Sequence, residues 1–260
     1  MNLVDIGVNL AHDSFDADRA EVIARARAAG VARMIVTGSS LASSEAALRL
    51  AQQDPAMFAT VGVHPHHADE VDAAHLPALA QLAAQPGAVA IGECGLDFYR
   101  DFSPRDRQES AFRLQLELAM QTGLPVFLHQ RDAHERFLAI LDECGPRQPP
   151  GVAHCFTGGP RELADYLDRG LYVGITGWIC DERRGADLRE AARFLPLDRV
   201  MIETDAPYLL PRDLEPRPRT RRNEPLHLPH VLQALARLMG VAAAELAEAS
   251  TRNAEALFRL

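Results

Sequence analysis

Four side chains that commonly bind metal ions follow short apolar runs in this sequence, namely Glu93, His129, His154 and Asp205. Two imidazoles and two carboxylates, with no thiolate, suit Mg²⁺, Mn²⁺ or Zn²⁺ and do not suit an iron–sulfur cluster or copper(I). A single histidine after a strand is more often a hydrogen-bonded structural residue. Four metal-competent residues in four such places instead predict one metal site.

In an extended chain, successive side chains point to opposite faces, so each neighbour of these residues can be assigned to one face. Cys94 and Cys155 each come one position after a predicted ligand, so we expect their side chains to point the other way and to pack as small buried groups. Glu203 precedes Asp205 by two positions and therefore shares its face. We expect Glu203 to lie deeper, supporting the site or packing beneath it rather than binding the ion.

The elements that must position these groups begin with short β-branched runs, which predict eight strands. Between most of them apolar residues recur at helical spacing, and alternating strands and helices predict a parallel sheet. The predicted strands are Leu3–Ile6, Ala32–Val36, Ala59–Val63, Val89–Ile91, Val126–Leu128, Val152–Ala153, Leu171–Ile175 and Val200–Ile202. The predicted helices between them include Asp18–Ala29, Ser43–Gln53, Arg105–Gln121, Ala133–Glu143 and Pro160–Arg169.

The strand candidates end in polar or charged residues that recur at a near-constant period. These ends are Asp5, Thr37, His64, Glu93, His129, His154, Thr176 and Asp205, spaced 22 to 36 residues apart. Strand plus helix repeated to eight predicts a (β/α)₈ TIM barrel, formed as a single domain over residues 1–260. An open doubly wound sheet is the alternative. In such barrels the catalytic groups come from the carboxyl ends of several strands, which is where these residues fall.

The region after the last predicted strand has a different character. Residues 207–229 are rich in proline and lack helical periodicity, which predicts a long ordered loop over the barrel mouth. Residues 226–239 and 241–258 then predict two closing helices. Within the loop, Arg212–Arg222 carries five arginines against two acidic residues. Arginine forks suit phosphate oxygens, so this stretch is either a phosphate-binding surface or a solvated basic loop.

Charge and residue usage exclude several classes of function. The chain has 27 basic and 36 acidic side chains and a net charge of −9, which argues against a uniformly cationic nucleic-acid surface. All the basic side chains in that count are arginine, so mechanisms that need a lysine amine, such as a Walker A motif or a Schiff base, are excluded. The four cysteines have no CxxC spacing and predict free thiols. With no membrane-spanning stretch or signal-peptide pattern, we expect a cytoplasmic protein that does not associate with membranes.

Six motifs in one order resemble the TatD family of metal-dependent deoxyribonucleases, and the resemblance runs essentially from end to end. The motifs are Gly-Val-His-Pro at 62–65, Gly-Glu-Cys-Gly-Leu-Asp at 92–97, Pro-Val-Phe-Leu-His at 125–129, His-Cys-Phe-Thr-Gly at 154–158, Glu-Thr-Asp-Ala-Pro-Tyr-Leu at 203–209 and Arg-Arg-Asn-Glu-Pro at 221–225. The resemblance implies a metallo-dependent hydrolase barrel that removes nucleotides from DNA in the 3′ to 5′ direction. It places Glu93, His129, His154 and Asp205 on the metal-ligand positions. Glu93 and Asp205 are then the catalytic carboxylates, with Asp205 orienting the attacking water as a base.

The first strand departs from the pattern of many family members. Those members open with Asp-x-His-x-His, whose two histidines help to hold one of two metals, whereas Gly7 and Asn9 stand at these positions here. We therefore expect one tightly bound ion and a second that is weak or recruited by substrate phosphate. Mg²⁺ is the expected ion, with Mn²⁺ and Zn²⁺ as alternatives.

Several residues near the predicted strand ends are candidates for binding substrate. The aromatic ring of Trp178 can stack a terminal base, and a single-stranded end can thread into such a pocket. We therefore expect single-stranded DNA, and also RNA, as partners. His66 and His67 are expected to face solvent. The predicted substrate-binding residues are His64, Arg131, Trp178, Arg221 and Asn223.

Two other functions are compatible with parts of the sequence. An ester or amide hydrolase, such as a D-aminoacyl-tRNA deacylase, would keep the barrel and the metal and act on acyl substrates. A catalytically silent adaptor would use the barrel mouth to bind protein, and only the loss of the first-strand histidines supports it. We expect the protein to be a monomer.

Overall fold

A computed structural model describes residues 2–260, and its eight strands form one sheet in the order β1 to β8. The strands are β1 (Leu3–Val8), β2 (Val31–Val36), β3 (Met57–Val61), β4 (Ala88–Asp97), β5 (Val126–Arg131), β6 (Gly151–Ala153), β7 (Tyr172–Ile175) and β8 (Val200–Ile202). Each overlaps a predicted strand, because the β-branched runs that indicate them are buried in the sheet.

Helices separate the strands and close the chain. They are α1 (Arg19–Ala28), α2 (Leu41–Gln53), α3 (Leu76–Ala83), α4 (Arg105–Thr122), α5 (His134–Glu143), α6 (Pro160–Asp168), α7 (Ala186–Ala192), α8 (Leu228–Met239) and α9 (Ala243–Phe258). The sequence pattern does not indicate α3 and α7, which have only 8 and 7 residues. Such short helices contain about two turns and offer few positions from which to recognise a period.

The order and direction of the strands define the fold class. β3 pairs with β4, β4 with β5, β5 with β6 and β7 with β8, all in parallel. β1 in turn contacts β8, and beyond β8 the backbone N–H of Asp205 donates to the carbonyl of Gly7 over 2.8 Å. A parallel sheet whose first strand meets its last, with helices between the strands, has (β/α)₈ barrel topology. The predicted fold class is confirmed.

Contacts within the chain define two compact units, each with its own buried apolar residues. One unit contains residues up to Ile35, Cys155–Ala256 and Leu260, and the other contains Val36–His154 and Leu257–Arg259. In the first unit Phe15 and Tyr166 are buried. In the second, Phe112 of α4 and Phe137 of α5 stack with their ring centroids 5.2 Å apart. A single domain over residues 1–260 stays a prediction.

Strand β4 extends six residues beyond its predicted end at Ile91. Its continuation depends on Gly92 and Gly95, which have φ values of +136° and +145°. A Cβ atom on Gly92 would lie 2.2 Å from the carbonyl oxygen of Phe127, and one on Gly95 would lie 1.9 Å from that of His129. Glycine thus permits β4 to approach β5 closely where any side chain would collide. As a result Glu93 lies inside β4 rather than after its end.

The remaining chain features agree with the sequence in part. Residues 207–224 form the predicted irregular loop, and the short 3₁₀ turn Pro225–His227 leads from it into α8. Helices α8 and α9 each begin two residues later than predicted. All four cysteines are thiols rather than disulfides, as predicted. Cys94 is buried as predicted, whereas Cys155 is only partly buried because the chain turns there with φ +48°. No helix within residues 2–260 combines the length and the apolar character that a membrane crossing requires.

Candidate metal centre

Three imidazoles converge on a single carboxylate oxygen in the unit formed by Val36–His154. Glu93 Oε1 lies 3.0 Å from His129 Nδ1 and 3.4 Å from both His64 Nε2 and His154 Nε2. Glu93 comes from β4 and His129 from β5, while His64 and His154 follow β3 and β6. Consecutive parallel strands bring these four side chains together because their carboxyl ends lie at one edge of the sheet.

Backbone hydrogen bonds fix where each of these residues leaves the sheet. The N–H of His64 donates to the carbonyl of Ser39 over 2.9 Å, and that of His154 donates to the carbonyl of Leu128 over 2.9 Å. The N–H of Glu93 donates to the carbonyl of Gly38 over 2.7 Å. His64 Nδ1 accepts from the backbone N–H of His66 over 3.1 Å, which leaves its Nε2 on the Glu93 side. The ring orientation of His64 is therefore set by the chain that follows it.

Asp97 is a second acidic residue at this centre. Its Oδ2 lies 2.8 Å from His66 Nε2 and 3.6 Å from His129 Nε2, and its Oδ1 accepts the backbone N–H groups of Tyr99 and Arg100. Burial opposes ionisation, but the nearby ring of His129, the hydrogen bond to His66 and the backbone donors hold the pKa of Asp97 below its ordinary value. A negative charge is thus fixed behind the two histidine rings.

The charge states of the central residues follow from their surroundings. Burial disfavours a charged Glu93, yet the nearby rings of His64, His154 and His129 outweigh this effect and hold the pKa of Glu93 well below normal. Burial lowers the pKa of His64 well below normal. Burial also opposes protonation of His129, but the carboxylates of Asp97 and Glu93 overcome it and raise its pKa.

This donor set fits a divalent ion. The ligand atoms of His64, Glu93 and His129 all lie within 4.8 Å of one another, close enough for one ion to bind several of them. A divalent cation would balance the negative charge that the Glu93 and Asp97 carboxylates place around His129. Imidazole and carboxylate donors without a thiolate suit Zn²⁺, Mn²⁺ and, with more oxygen ligands, Mg²⁺.

Asp205 belongs to the other unit and is held by residues of β1 and its following turn. Its backbone N–H donates to Gly7, and its Oδ1 accepts from Asn9 Nδ2 over 2.9 Å. Its φ of +52° is the left-handed conformation that only a few residue types adopt readily. Asn9, at a position where many family members carry histidine, therefore orients Asp205. Glu203 is fully buried and its Oε1 accepts the backbone N–H of Cys155 over 2.6 Å.

Trp178 and Arg221 line one cavity of about 490 Å³ in the same unit as Asp205. The guanidinium carbon of Arg184 lies 4.2 Å from the centre of the Trp178 ring. Asp181 is buried and its Oδ2 lies 2.8 Å from Arg184 Nη2 and 3.8 Å from Arg212 Nη1. The arginines that line this cavity are Arg183, Arg184, Arg212, Arg217 and Arg221.

Arg131, Arg222 and Asn223 have protein partners. Arg131 lies over the ring of Tyr99, with 4.0 Å between its guanidinium carbon and the ring centre. Arg222 forms two hydrogen bonds to Asp18, of 2.7 and 2.8 Å, and bonds to Glu224 and the carbonyl of Ser14 as well. The Asn223 side chain is buried and donates to the carbonyl of Thr204 over 3.0 Å. Substrate binding by Arg131 and Asn223 stays a prediction.

The sequence does not single out Asp97 or the role of His66. The expectation that His66 faces solvent is wrong, because its ring lies 4.2 Å from that of His64 and hydrogen-bonds to Asp97. His67 does face outward and pairs with Glu70. A signal for Asp97 exists, since Glu93, Gly95 and Asp97 are spaced by two along one strand and share a face.

Comparison with known proteins is consistent with this geometry. A family model described as "TatD related DNase" matches residues 4–259. A Citrobacter rodentium protein named "3'-5' ssDNA/RNA exonuclease TatD" is 54% identical over 98% of this chain and 97% of its own length. A protein of the same name from Escherichia coli K12 is 50% identical, covering 98% of both chains.

Solved structures agree in fold. The crystal structure of YJJV, a TatD homolog from Escherichia coli K12, has a TM-score of 0.90 at 28% identity and covers 99% of this chain and 98% of its own. A hydrolase TatD family protein from Entamoeba histolytica has a TM-score of 0.91 at 25% identity over the same shares of the two chains. Since the family model spans nearly the whole length and the bacterial relatives share half their residues with it, this chain belongs to the TatD-related DNase family.

Proposed function

We propose that this protein is a divalent-metal-dependent 3′–5′ exonuclease that removes nucleotides from single-stranded DNA and from RNA. The names of its bacterial relatives support the reaction and the substrate class. The observation that carries the proposal is the convergence of His64, His129 and His154 on one oxygen of Glu93. Three imidazoles are more than one carboxylate oxygen requires as hydrogen-bond partners. A divalent cation would bind their nitrogen atoms together with the carboxylate.

Glu93, His129 and His154, together with Asp205, are the residues that would hold the ion. The carboxyl ends of the strands in a (β/α)₈ barrel supply such ligands, which is the reason for including Asp205, three residues after the end of β8. The Nε2 atoms of His64 and His154 lie at the same distance from Glu93 Oε1. His64 therefore stands beside the proposed ligands, and we assign it contact with the scissile phosphate.

When bound, a divalent ion supplies Lewis-acid polarisation of a phosphoryl oxygen and lowers the pKa of the attacking water. Asp205 accepts a proton from that water, and Asn9 holds its carboxylate in place. His64, whose Nδ1 accepts from the His66 backbone, donates a hydrogen bond from Nε2 to a phosphate oxygen or to the departing oxygen. Arg131 offsets negative charge as it develops on the phosphate.

The arginine-lined cavity is the proposed path of the strand. Its five arginines provide forked donors for backbone phosphates, and the Trp178 ring offers a face for a base. Stacking contributes about 1–3 kcal/mol per base and does not depend on sequence. Binding is thus local and electrostatic, although the whole chain carries a net charge of −9.

We propose Mg²⁺ as the working ion, with a single tightly held ion and a second one brought by substrate phosphate. Mg²⁺ commonly binds through few protein carboxylates plus phosphate oxygens. The imidazoles around Glu93 make Mn²⁺ and Zn²⁺ the competing ions. A cytoplasmic location and a monomeric state stay predictions.

The deciding experiment follows end-labelled single-stranded DNA with the purified protein, with Mg²⁺, Mn²⁺ or Zn²⁺ or with a chelator. We expect stepwise shortening from the 3′ end that the chelator abolishes. The His154→Ala variant should lose this activity and keep its circular dichroism spectrum, whereas His67→Ala, which removes an outward-facing histidine, should remain active. Cleavage of an aminoacylated substrate with the phosphodiesters left intact would instead support an ester or amide hydrolase.

A further inference from the structure

A cluster of three metal-competent side chains shares no member with the proposed catalytic residues. Cys180 ends the 3₁₀ segment Gly177–Cys180, Asp213 lies in the loop after β8, and His230 is in the first turn of α8. One ligand atom from each lies within 4.8 Å of the other two. His230 Nε2 is 2.7 Å from Asp213 Oδ1. We propose that Cys180, Asp213 and His230 form a second cation site, selective for Zn²⁺ or a similar thiophilic ion.

The chemistry of these donors distinguishes this site from the one around Glu93. A thiolate, an imidazole and a carboxylate are the ligand types of protein zinc sites, with Zn–S near 2.3 Å and Zn–N and Zn–O near 2.0–2.2 Å. A thiolate disfavours Mg²⁺, which prefers oxygen. The thiolate and carboxylate together carry two negative charges, which a divalent ion balances.

Exposure at the site permits entry of an ion and a fourth ligand. Cys180 is only 5% exposed, whereas the side chains of Asp213 and His230 are 40% and 26% exposed. The ion would reach the cluster from the solvent side and keep a water in its remaining position. Asp213 stands between the other two, since it hydrogen-bonds to His230 and its carboxylate lies within 4.8 Å of the Cys180 sulfur.

Protons are released when the ion binds. Burial and the Asp213 carboxylate raise the pKa of the Cys180 thiol, so the metal must displace that proton to bind sulfur. Binding should therefore weaken as pH falls.

The cluster of Cys180, Asp213 and His230 adjoins the wall of the arginine-lined cavity. Cys180 adjoins Asp181 and Asp213 adjoins Arg212, and both neighbours line that cavity. An ion held by Cys180, Asp213 and His230 would tie the arginine-bearing loop to α8 and to the segment that carries Trp178. We infer a structural role, in which metal occupancy keeps the cavity wall in one arrangement.

The test uses the full chain after chelator treatment, titrated with Zn²⁺ and with Cd²⁺ alone. Cd²⁺ should produce the ultraviolet charge-transfer absorption of a thiolate–metal bond, and Zn²⁺ should raise the thermal midpoint. The Cd²⁺ absorption should be lost in Cys180→Ser and kept in Cys144→Ser and Cys155→Ser. The rise in thermal midpoint with Zn²⁺ should be smaller in Cys180→Ser than in the unaltered protein, with the remainder coming from the centre around Glu93. The His230→Gln variant, altered at a partly exposed position, should keep its fold and bind Cd²⁺ about ten-fold more weakly or worse, since losing even an outer-shell partner costs that much.

Two results would overturn the site. One is the absence of a sulfur–metal absorption in the unaltered protein, which would leave Asp213 as a hydrogen-bonding clamp only. The other is an absorption that survives Cys180→Ser and disappears in Cys155→Ser, which would assign the thiolate elsewhere. Mg²⁺-dependent digestion of DNA by the His230→Gln variant is measured in parallel, so failure of this site and failure of the proposed nuclease activity are distinguishable.

Discussion

Among single residues, Asp97 closes the Gly-Glu-Cys-Gly-Leu-Asp motif at 92–97, and its role becomes visible only in the folded structure. It hydrogen-bonds to His66 and lies 3.6 Å from the Nε2 atom of His129, whose other nitrogen faces Glu93. A carboxylate behind a ligating histidine fixes the orientation of the ring and raises its basicity. Asp97 is therefore a positioning residue for His129.

Replacing Asp97 with asparagine should weaken metal binding about 10–100-fold, because His129 would lose its charged partner. The fold should persist, since an asparagine oxygen can still accept the backbone N–H groups of Tyr99 and Arg100. Competition with a chromogenic chelator measures the affinity. Asp101→Asn, which alters only an exposed ion pair with Arg105, is the matched control. Equal affinity in both variants would remove Asp97 from this role.

Asp5 predicts a pH dependence of stability. Burial raises its pKa from 3.8 to about 7, against hydrogen bonds from the Thr204 hydroxyl and backbone. Between these two values the folded protein keeps a proton that the unfolded chain has lost, so the free energy of unfolding falls as pH rises and then levels off above about 7. The total loss is on the order of 4 kcal/mol, because each tenfold change in proton affinity corresponds to about 1.36 kcal/mol.

In Asp5→Asn this contribution to the pH slope should vanish. Urea denaturation at about pH 4 and about pH 8 should show the variant gaining stability relative to the unaltered protein as pH rises. Asp13→Asn, at an exposed residue near the same strand, should leave the slope unchanged. A slope that is the same in Asp5→Asn as in the unaltered protein would contradict a buried, protonated Asp5.

Among the elements, the approach of β4 to β5 decides where two ligands stand. Gly95 leaves room for the carbonyl of His129, and a Cβ atom there would lie 1.9 Å from that oxygen in a backbone conformation with φ +145°. Either β5 or β4 would have to move, and Glu93 or His129 would move with it. The position of these two proposed ligands therefore depends on a glycine that has no ligand side chain of its own.

Gly95→Ala should destabilise the protein by more than about 3 kcal/mol, because backbone collision and a strained φ act together. Gly123→Ala is the control, since Gly123 has φ +70° and nothing within 4 Å of an added Cβ. Its cost should be about 1–2 kcal/mol, from the left-handed conformation alone. The free energy of unfolding in urea measures both variants, and similar losses would mean that the close approach of the strands is not required.

The loop after β8 contains two adjacent arginines with different surroundings. Arg221 lines the cavity with Trp178, whereas Arg222 is engaged by Asp18 and Glu224. Arg221→Ala should weaken binding of single-stranded DNA for all sequences and flatten the log–log salt dependence by about 0.7, the value for one phosphate contact. Arg222→Ala should lower the thermal midpoint with little change in that slope. Wild-type affinity and slope in Arg221→Ala would make the arginine run a solvated surface.

Across the molecule as a whole, an acidic protein must bind a polyanion. With a net charge of −9, attraction comes only from the local arginines and acts over a Debye length of about 8 Å at physiological salt. A strand end that enters the cavity brings its phosphates within that range. The interior of a long duplex does not enter so easily, because both strands are stacked and paired.

Digestion should therefore require an end. Linear single-stranded DNA should be degraded faster than blunt duplex, and circular single-stranded DNA of the same sequence should resist. Gel analysis of the three substrates with Mg²⁺ makes the comparison. As the positive control, the same circle is cut once, which gives it a 3′ end and should make it digestible. Equal rates on circular and linear single strands would contradict an exonuclease.

The alternation of strands and helices, the family, and the choice of Glu93, His129, His154 and Asp205 as candidate ligands all follow from the order of residues along the chain. These depend on local pattern and on short motifs, because β-branched runs and helical spacing act within a few residues. The limits of β4 were not recoverable in this way, since Gly92 and Gly95 interrupt the apolar run while permitting the strand to continue.

Only the folded structure shows which side chains that are distant in sequence contact one another. Folding brings Asp97 to His66 and His129, separates the roles of Arg221 and Arg222, and joins Cys180 to Asp213 and His230. Each of these contacts depends on side-chain directions and on the register between elements that are tens of residues apart. Hydrogen bonds and ion pairs form only within a few ångströms, and sequence spacing does not fix distances of that size between separate elements.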